Sequence, residues 1–218
     1  KLSKRDGDRL GFPVFPLQWI NSDGEISHGY REDGYFPEAF VNILAFLGWN
    51  PGTEQEIFTL DELVEVFSLE RVVKSGARFN HDKAKWYNQE YLRRKSTKEL
   101  VEAFRAIEGE YLAGFDDKYV GAAVELIRDR AYFVHEFRSL CDFLFEAPEE
   151  YDPAGVNKFW KDEVKEIIPQ VADFINSLEP FSKNIIEEKL ENFIKTNGWG
   201  MGKVMNTLRL FLVGRSSG

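Results

Sequence analysis

The chain has 218 residues, of which 43% are hydrophobic and 15% aromatic, so it can bury a core and form one large or two small domains. Its 28 Lys and Arg residues stand against 37 Asp and Glu residues, which gives a formal net charge of -9. This charge excludes a protein that coats nucleic acid through bulk positive charge. Any nucleic-acid site must therefore be local.

The reactive side chains are few. The single cysteine, Cys141, cannot form an internal disulfide, and we expect it to be a small core residue. The histidines His28, His81 and His135 show no metal-ligand spacing with it, so we expect no structural zinc and no other metal site. No apolar run approaches the roughly 18 residues of a membrane span. A cytoplasmic protein without a membrane partner is the expectation.

A β-hairpin is predicted near the N-terminus. Asp23 and Gly24 lie between two short apolar or aromatic runs, residues 12–20 and 25–30. Asp-Gly between such runs is the strongest short-range hairpin signal, because these residues tolerate the backbone angles of a tight turn.

Helices are predicted to follow this hairpin. Pro37 opens an apolar periodic stretch and Gly48 closes it, which is the Pro-first and Gly-last asymmetry of a helix. Thr59 and Glu62 have the spacing of a capping box in front of a second apolar face. A third helix is predicted to begin near Asp82.

After Arg94 the sequence predicts helices with almost no strand signal. Ser96 and Glu99 repeat the capping-box pattern. The predicted helices cover residues 98–107, 118–128, 134–145, 156–178, 183–195 and 203–213. Pro169 lies inside the longest of them and predicts a kink or a restart near Ile168. The fold class is therefore mainly α, with one small hairpin.

Positive charge is concentrated in one segment. Residues 71–98 hold nine basic and two acidic side chains, a net charge of +7. The basic residues are Arg71, Lys74, Arg78, Lys83, Lys85, Arg93, Arg94, Lys95 and Lys98, and the aromatic residues between them are Phe79, Trp86, Tyr87 and Tyr91. Such a mixture offers phosphate partners and stacking faces to RNA. A solvated helix face that balances acidic neighbours is the alternative interpretation.

The first five residues, Lys1-Leu2-Ser3-Lys4-Arg5, resemble the KMSKS loop of class I aminoacyl-tRNA synthetases. The resemblance implies that all five residues bind ATP, with Lys4 as the main catalytic lysine and Lys1 assisting. When a carboxylate attacks the α-phosphorus of ATP, negative charge moves onto the departing pyrophosphate, and positioned ammonium groups stabilise that charge. A basic string of five residues is weak evidence by itself.

Further segments match one family in order along the chain. Residues 29–49 contain Gly-Tyr-Phe-Pro-Glu-Ala and Leu-Gly-Trp landmarks. Residues 67–72 and 79–88 resemble a stem-contact region, and residues 198–214 resemble an element of an anticodon-binding domain. Together they identify a resemblance to the bacterial-type glutamyl-tRNA synthetases, of which this chain looks like a C-terminal fragment. Residues 11–28 look like an insertion relative to that family.

The resemblance implies a domain organisation and a function. Residues 1–95 would be the end of the catalytic domain plus stem-contact helices, and residues 96–218 an all-helical anticodon-binding domain of the α-helix cage type, incomplete at its C-terminus. The implied tRNA-binding residues are Lys83, Lys85, Arg93, Arg94, Lys203 and Arg209. The full-length enzyme would be a monomeric glutamate-tRNA ligase that uses glutamate, ATP with Mg2+ and tRNA(Glu), whereas the fragment itself would be inactive.

Two other functions stay open at this stage. A class I lysyl-tRNA synthetase also uses a helical domain, although the Gly-Tyr-Phe-Pro-Glu-Ala landmarks favour the glutamyl type. A helical protein-interaction scaffold without an RNA role would fit the net charge of -9 and the many aromatic residues. Whether tRNA(Gln) is also charged depends on anticodon contacts that the sequence does not identify.

Overall fold

The computed structural model describes residue 7, residues 12–74, residue 76 and residues 79–216. The described part is mainly helical and contains a two-stranded antiparallel hairpin, which confirms the predicted fold class. None of its helices combines the length and the apolar character that crossing a membrane requires. The chain forms two compact units, Lys1–Cys141 and Asp142–Gly218. The predicted boundary after residue 95, between the stem-contact part and the anticodon-binding domain, is not the same as this division and stays a prediction.

Most of the elements belong to the first unit. They are β1 (Trp19–Ile20), β2 (Ile26–Ser27), α1 (Pro37–Ala45), α2 (Leu60–Val66), a 3-10 turn (Leu69–Arg71), α3 (His81–Arg94), α4 (Thr97–Glu108), α5 (Asp117–Ile127), a second 3-10 turn (Val134–Glu136) and α6 (Phe137–Cys141). The second unit comprises a 3-10 turn (Asp142–Leu144), α7 (Pro153–Phe159), α8 (Asp162–Asn176), α9 (Lys183–Thr196) and α10 (Met201–Val213).

The predicted hairpin is confirmed, with strands shorter than the apolar runs suggested. β1 and β2 have two residues each. The side-chain oxygen of Asn21 accepts hydrogen bonds from the backbone N–H groups of Asp23 at 2.9 Å and Glu25 at 2.8 Å. Gly24 has a φ of +82°, a left-handed conformation that glycine adopts without a Cβ clash. The turn chemistry, more than the strands, holds this hairpin together.

The helix-start signals are confirmed. Thr59 and Ser96 each accept a hydrogen bond from a backbone N–H in the first turn. The carboxylates of Glu62 and Glu99 accept one from the backbone N–H of the cap residue, which completes both capping boxes. α1 begins at Pro37, as predicted.

One predicted helix is broken into three pieces. Residues 134–145 form a 3-10 turn, the short helix α6 and another 3-10 turn instead of a continuous helix. The carboxylate of Asp142 accepts a hydrogen bond from the backbone N–H of Phe143 at 2.8 Å, a local bond that competes with helical hydrogen bonding. The two compact units also divide within this segment, between Cys141 and Asp142.

The restart predicted near Ile168 is wrong. The chain breaks earlier, at Trp160, whose φ and ψ are -84° and 79°, and α8 then runs through Pro169 without interruption. Pro169 is exposed, so water can bond the carbonyl that its missing N–H leaves free. Val164 and Val171 are fully buried on either side of it, and their packing keeps the helix continuous through the proline position.

The core of the first unit is largely aromatic. Its buried members are Tyr30, Tyr35, Ala39, Ile43, Ile57, Ala84, Tyr87, Tyr91 and Phe133. Cys141 is fully buried and its Sγ donates to the carbonyl of Phe137 at 3.0 Å, which confirms the expected core position. The core of the second unit is formed by Ile167, Val171, Leu190, Ile194 and Val204.

Two buried asparagines connect the elements of the first unit. Asn42 of α1 donates to the carbonyl of Glu56 at 2.8 Å and accepts from the backbone N–H of Phe58 at 3.0 Å. Asn88 of α3 accepts from the backbone N–H of Phe36 at 2.8 Å and donates to the carbonyl of Tyr132 at 2.7 Å. Backbone groups that lie outside helices thus obtain partners from these side chains.

Replacing Asn88 by Ala is expected to lower the free energy of unfolding by about 2–4 kcal/mol, because the N–H of Phe36 and the carbonyl of Tyr132 both lose their partner. Urea unfolding followed by circular dichroism measures the change. The control, Asn184→Ala at an exposed position, is expected to change the free energy by less than about 0.5 kcal/mol. Equal effects of the two substitutions would show that Asn88 does not stabilise the unit.

Candidate nucleic-acid interface

The basic residues predicted to bind RNA lie on the outer face of α3. The inner face is defined by the buried residues Ala84, Tyr87, Asn88, Gln89, Tyr91 and Leu92. Lys83, Lys85, Arg93 and Arg94 are all exposed. The side-chain oxygen of Asn80 accepts from the backbone N–H of Lys83 at 3.1 Å and caps the start of the helix. Both arginines lie in the last turn, where the helix dipole favours positive charge.

These four cations do not form one row. A helix turns about 100° per residue, so Lys83 and Arg94, eleven positions apart, lie within about 20° of each other and about 16 Å apart along the axis. Lys85 lies roughly on the opposite flank, and Arg93 lies between the flanks on the exposed side. The outer face of α3 therefore presents separated positive charges. This arrangement is better suited to contacting several phosphates than to binding a single anion.

Two of the four cations are held by carboxylates of the chain itself. The Nζ atom of Lys83 lies 2.7 Å from a carboxylate oxygen of Glu56. The guanidinium of Arg93 lies 2.8 Å from Glu90 and 3.4 Å from Asp129, and it also donates to the carbonyl of Asp129 at 2.6 Å. Part of their charge is therefore balanced within the first unit.

Lys85 and Arg94 differ from them. Neither makes an ion pair with any residue that the structure describes. Their charges are the ones on α3 that a phosphate can use without displacing an intramolecular partner.

Other members of the basic stretch serve the fold. The guanidinium of Arg71 donates to the carbonyl of Pro51. Lys95 lies 3.5 Å from Glu38, and its Nζ atom lies 4.6 Å from the ring centroid of Phe36. Arg78 lies outside the described residues. The positive segment thus divides into structural and available cations, which its net charge does not reveal.

The predicted stacking faces are wrong for two of the four aromatic residues. Tyr87 and Tyr91 are buried in the core and cannot stack on bases. The Tyr91 hydroxyl donates to the side-chain oxygen of Asn42 at 3.0 Å, and burial raises the pKa of Tyr91 to about 12. Phe79 and Trp86 are partly buried against the same core. The helical period places Tyr87 and Tyr91 inward, because they supply part of the apolar face of α3.

The predicted residues of the second unit lie on α10. The Nζ atom of Lys203 lies 2.5 Å from a carboxylate oxygen of Glu163. Arg209 is exposed and bonds the side-chain oxygen of Asn206 at 3.3 Å, and it has no carboxylate partner among the described residues. Six positions separate the two cations, which places them about 120° apart around the helix. Arg209 is thus the freer cation of the pair.

The predicted ATP loop consists of the first five residues. Lys1, Leu2, Ser3, Lys4 and Arg5 lie outside the described residues. Their assignment to ATP stays a prediction from the sequence.

The structure also gathers residues that the sequence left scattered. His28, His81 and His135 line one cavity of about 710 Å³ in the first unit, together with Asp33 and Lys85. Burial raises the pKa of Asp33 and lowers the pKa of His81. Within the described ranges, no group of three or more His, Cys, Asp or Glu side chains could hold a metal ion. About fifty residues separate successive histidines, so no local pattern signals this proximity.

Two family models match the chain. Residues 84–218 match the anticodon binding domain. Residues 21–86 match the catalytic domain of the class I tRNA synthetases (E and Q). α3, with its outer cations, contains residues 84–86, where the two matches overlap.

Curated relatives carry the name glutamate-tRNA ligase. The protein of Porphyromonas gingivalis W83 is 44% identical over 219 residues, and that of Bacteroides fragilis is 45% identical over 219 residues. Each alignment covers 100% of this chain and 43% of the relative. The chain therefore spans less than half the length of the relatives that it matches.

Solved structures show the same fold. A crystal structure of a glutamate tRNA ligase from Elizabethkingia meningosepticum, in complex with its amino acid, is similar with a TM-score of 0.94 and 42% identity. A glutamate-tRNA synthetase from Elizabethkingia anophelis is similar with a TM-score of 0.85 and 42% identity, and both matches cover 100% of this chain and 43% of the other. The anticodon binding domain model covers more than half of the chain, so the chain belongs to that family, and it is similar to glutamate-tRNA ligases along its whole length.

Proposed function

We propose that this chain is the tRNA-binding part of a longer glutamate-tRNA ligase, which activates glutamate with ATP and transfers it to tRNA(Glu). The observation that supports this most is the 44% identity to a glutamate-tRNA ligase along the whole chain. The two family models support it independently, and neither they nor the relatives favour a lysyl-type enzyme. We infer a cytoplasmic monomer, because the resemblance to this family implies one.

Within this function, we assign the first five residues to ATP. Lys4, assisted by Lys1, would stabilise the charge that develops on the departing pyrophosphate, a stabilisation that matters most in the transition state. Leu2, Ser3 and Arg5 would complete the loop. ATP would be used with Mg2+, and we assign no described residue to that ion.

We assign tRNA contact to two surfaces, one in each unit. On α3, Lys85 and Arg94 are the leading phosphate partners because their charges are unpaired among the described residues, whereas Lys83 and Arg93 would have to exchange a carboxylate for a phosphate. On α10, we assign the phosphate contact to Arg209 before Lys203, because Lys203 is paired with Glu163. The acidic composition of the remaining chain would confine tRNA to these local surfaces.

A helical protein-interaction scaffold is the competing function, and salt-dependent binding separates the two. Phosphate contacts release counterions, so tRNA affinity should fall steeply as salt increases. A chain that does not bind tRNA even at low ionic strength would contradict the RNA-binding role of these 218 residues.

Replacing Arg94 or Lys85 by Ala should weaken tRNA binding, because each substitution removes an exposed cation without breaking an ion pair among the described residues. The slope of log K against log salt concentration should become shallower by about 1 for each lost phosphate contact. Fluorescence anisotropy with labelled tRNA(Glu) at several salt concentrations measures both quantities.

The matched control is Lys118→Ala, which removes one exposed positive charge from α5, outside the basic stretch. It should leave both affinity and salt slope nearly unchanged. If all three variants behave alike, the outer face of α3 is only a solvated surface.

In the full-length enzyme, Lys4→Ala should slow glutamyl-adenylate formation by about 100-fold to 1,000-fold, the typical effect of removing one stabiliser of a developing charge. Affinity for tRNA should stay nearly constant, because the substitution leaves the α3 and α10 surfaces intact. Pyrophosphate exchange measures activation and anisotropy measures tRNA binding. Lys118→Ala serves again as the control, and an unaltered activation rate in Lys4→Ala would contradict the role of Lys4.

A further inference from the structure

An apolar groove lies between α1 and α2 in the first unit. Its walls include Val41 and Leu44 of α1, Leu60 and Val64 of α2, and Phe67, and its volume is about 520 Å³. Trp49 lines it as well and is almost fully buried. The walls are apolar, yet they face solvent in this chain.

The exposure of these walls is unusual for large apolar side chains. Leu44 is 50% exposed, Leu60 61% and Val64 73%. Single exposed apolar residues are common on proteins, but a contiguous set that lines one groove marks an interaction surface.

The groove is formed by rigid elements. The capping box of Thr59 and Glu62 fixes the start of α2. The backbone N–H of Val73 donates to the carbonyl of Gly48 at 2.7 Å, which ties the segment after α2 to the end of α1. The groove is therefore present before any partner arrives, so a partner need not order it.

We propose that the remainder of the catalytic domain, outside these 218 residues, packs an apolar face into this groove. All the groove residues named above lie within residues 21–86, which match a catalytic-domain model, and 57% of the length of each relative is not represented in this chain. This inference rests on the proposed function, because it requires that the chain be part of a longer ligase.

The lining of the groove specifies the partner further. The groove is lined by apolar side chains of α1 and α2, so the covering face should be apolar as well. Asp61, Glu62 and Glu65 of α2 do not line the groove. A helix turns about 100° per residue, and these positions lie away from the face that carries Leu60 and Val64.

Hydroxyl-radical footprinting with mass spectrometry tests the proposal directly. The rate of side-chain oxidation at Leu60, Val64 and Phe67 is compared between this chain and the full-length enzyme. We expect severalfold protection of all three residues in the full-length enzyme, whereas Leu126, which is 69% exposed on α5 and lies outside the groove, should react equally in both. Equal oxidation of the groove residues in both proteins would overturn the proposal.

Substitution provides an independent test. Val64→Glu should leave the thermal stability of this chain unchanged, because Val64 is exposed and Glu is a better helix former than Val. In the full-length enzyme the same substitution should lower the melting temperature, since it would bury a charge. Leu126→Glu is the matched control and should be neutral in both proteins; equal behaviour of the two substitutions would contradict the proposal.

Two more measurements separate the alternatives. Sedimentation of this chain detects a second copy, and a dimer that Val64→Glu dissociates would overturn the proposed partner in favour of self-association. Aminoacylation of tRNA(Glu) by the same full-length sample tests the proposed function by itself, because footprinting requires neither tRNA nor activity. A protected groove in an enzyme that does not charge tRNA would therefore support the packing and contradict only the function.

Discussion

The first unit depends on the burial of one face of α3. Asn88, Tyr91 and Leu92 lie on that face, and Asn88 gives the start of α1 and the carbonyl of Tyr132 their hydrogen-bond partners. Because a helix gains most of its stability from packing, this face determines the orientation of α3. As a consequence, the cations of α3 lie on the opposite, exposed face of the helix.

The same helix shows why net charge is a poor guide to a binding surface. Exposed ion pairs contribute about 0–1 kcal/mol, so the pair of Lys83 with Glu56, in which both side chains are about 40% exposed, can be exchanged for a phosphate at small cost. Arg93 is less exchangeable, because it bonds a carbonyl as well as two carboxylates. Availability of a cation therefore depends on its partners, which composition does not report.

Local signals predicted much of the fold, and distant contacts explain what was missed. The Asp23-Gly24 turn and the capping boxes at Thr59 and Ser96 involve residues within a few positions of each other, so the sequence determines them. The continuity of α8 through Pro169 depends on packing. The burial of Tyr87 and the cavity shared by the histidines likewise depend on tertiary contacts. Periodicity could have placed Tyr87 inward, whereas no pattern could have gathered the histidines.

The RNA surface and the apolar groove lie on different elements of the first unit. The groove is lined by apolar side chains of α1 and α2, which offer no cation to a phosphate. The outer face of α3 carries Lys85 and Arg94 without carboxylate partners among the described residues, and these cations attract phosphates. An RNA and an apolar protein segment can therefore occupy the first unit together, because each surface lacks the groups that the other ligand needs.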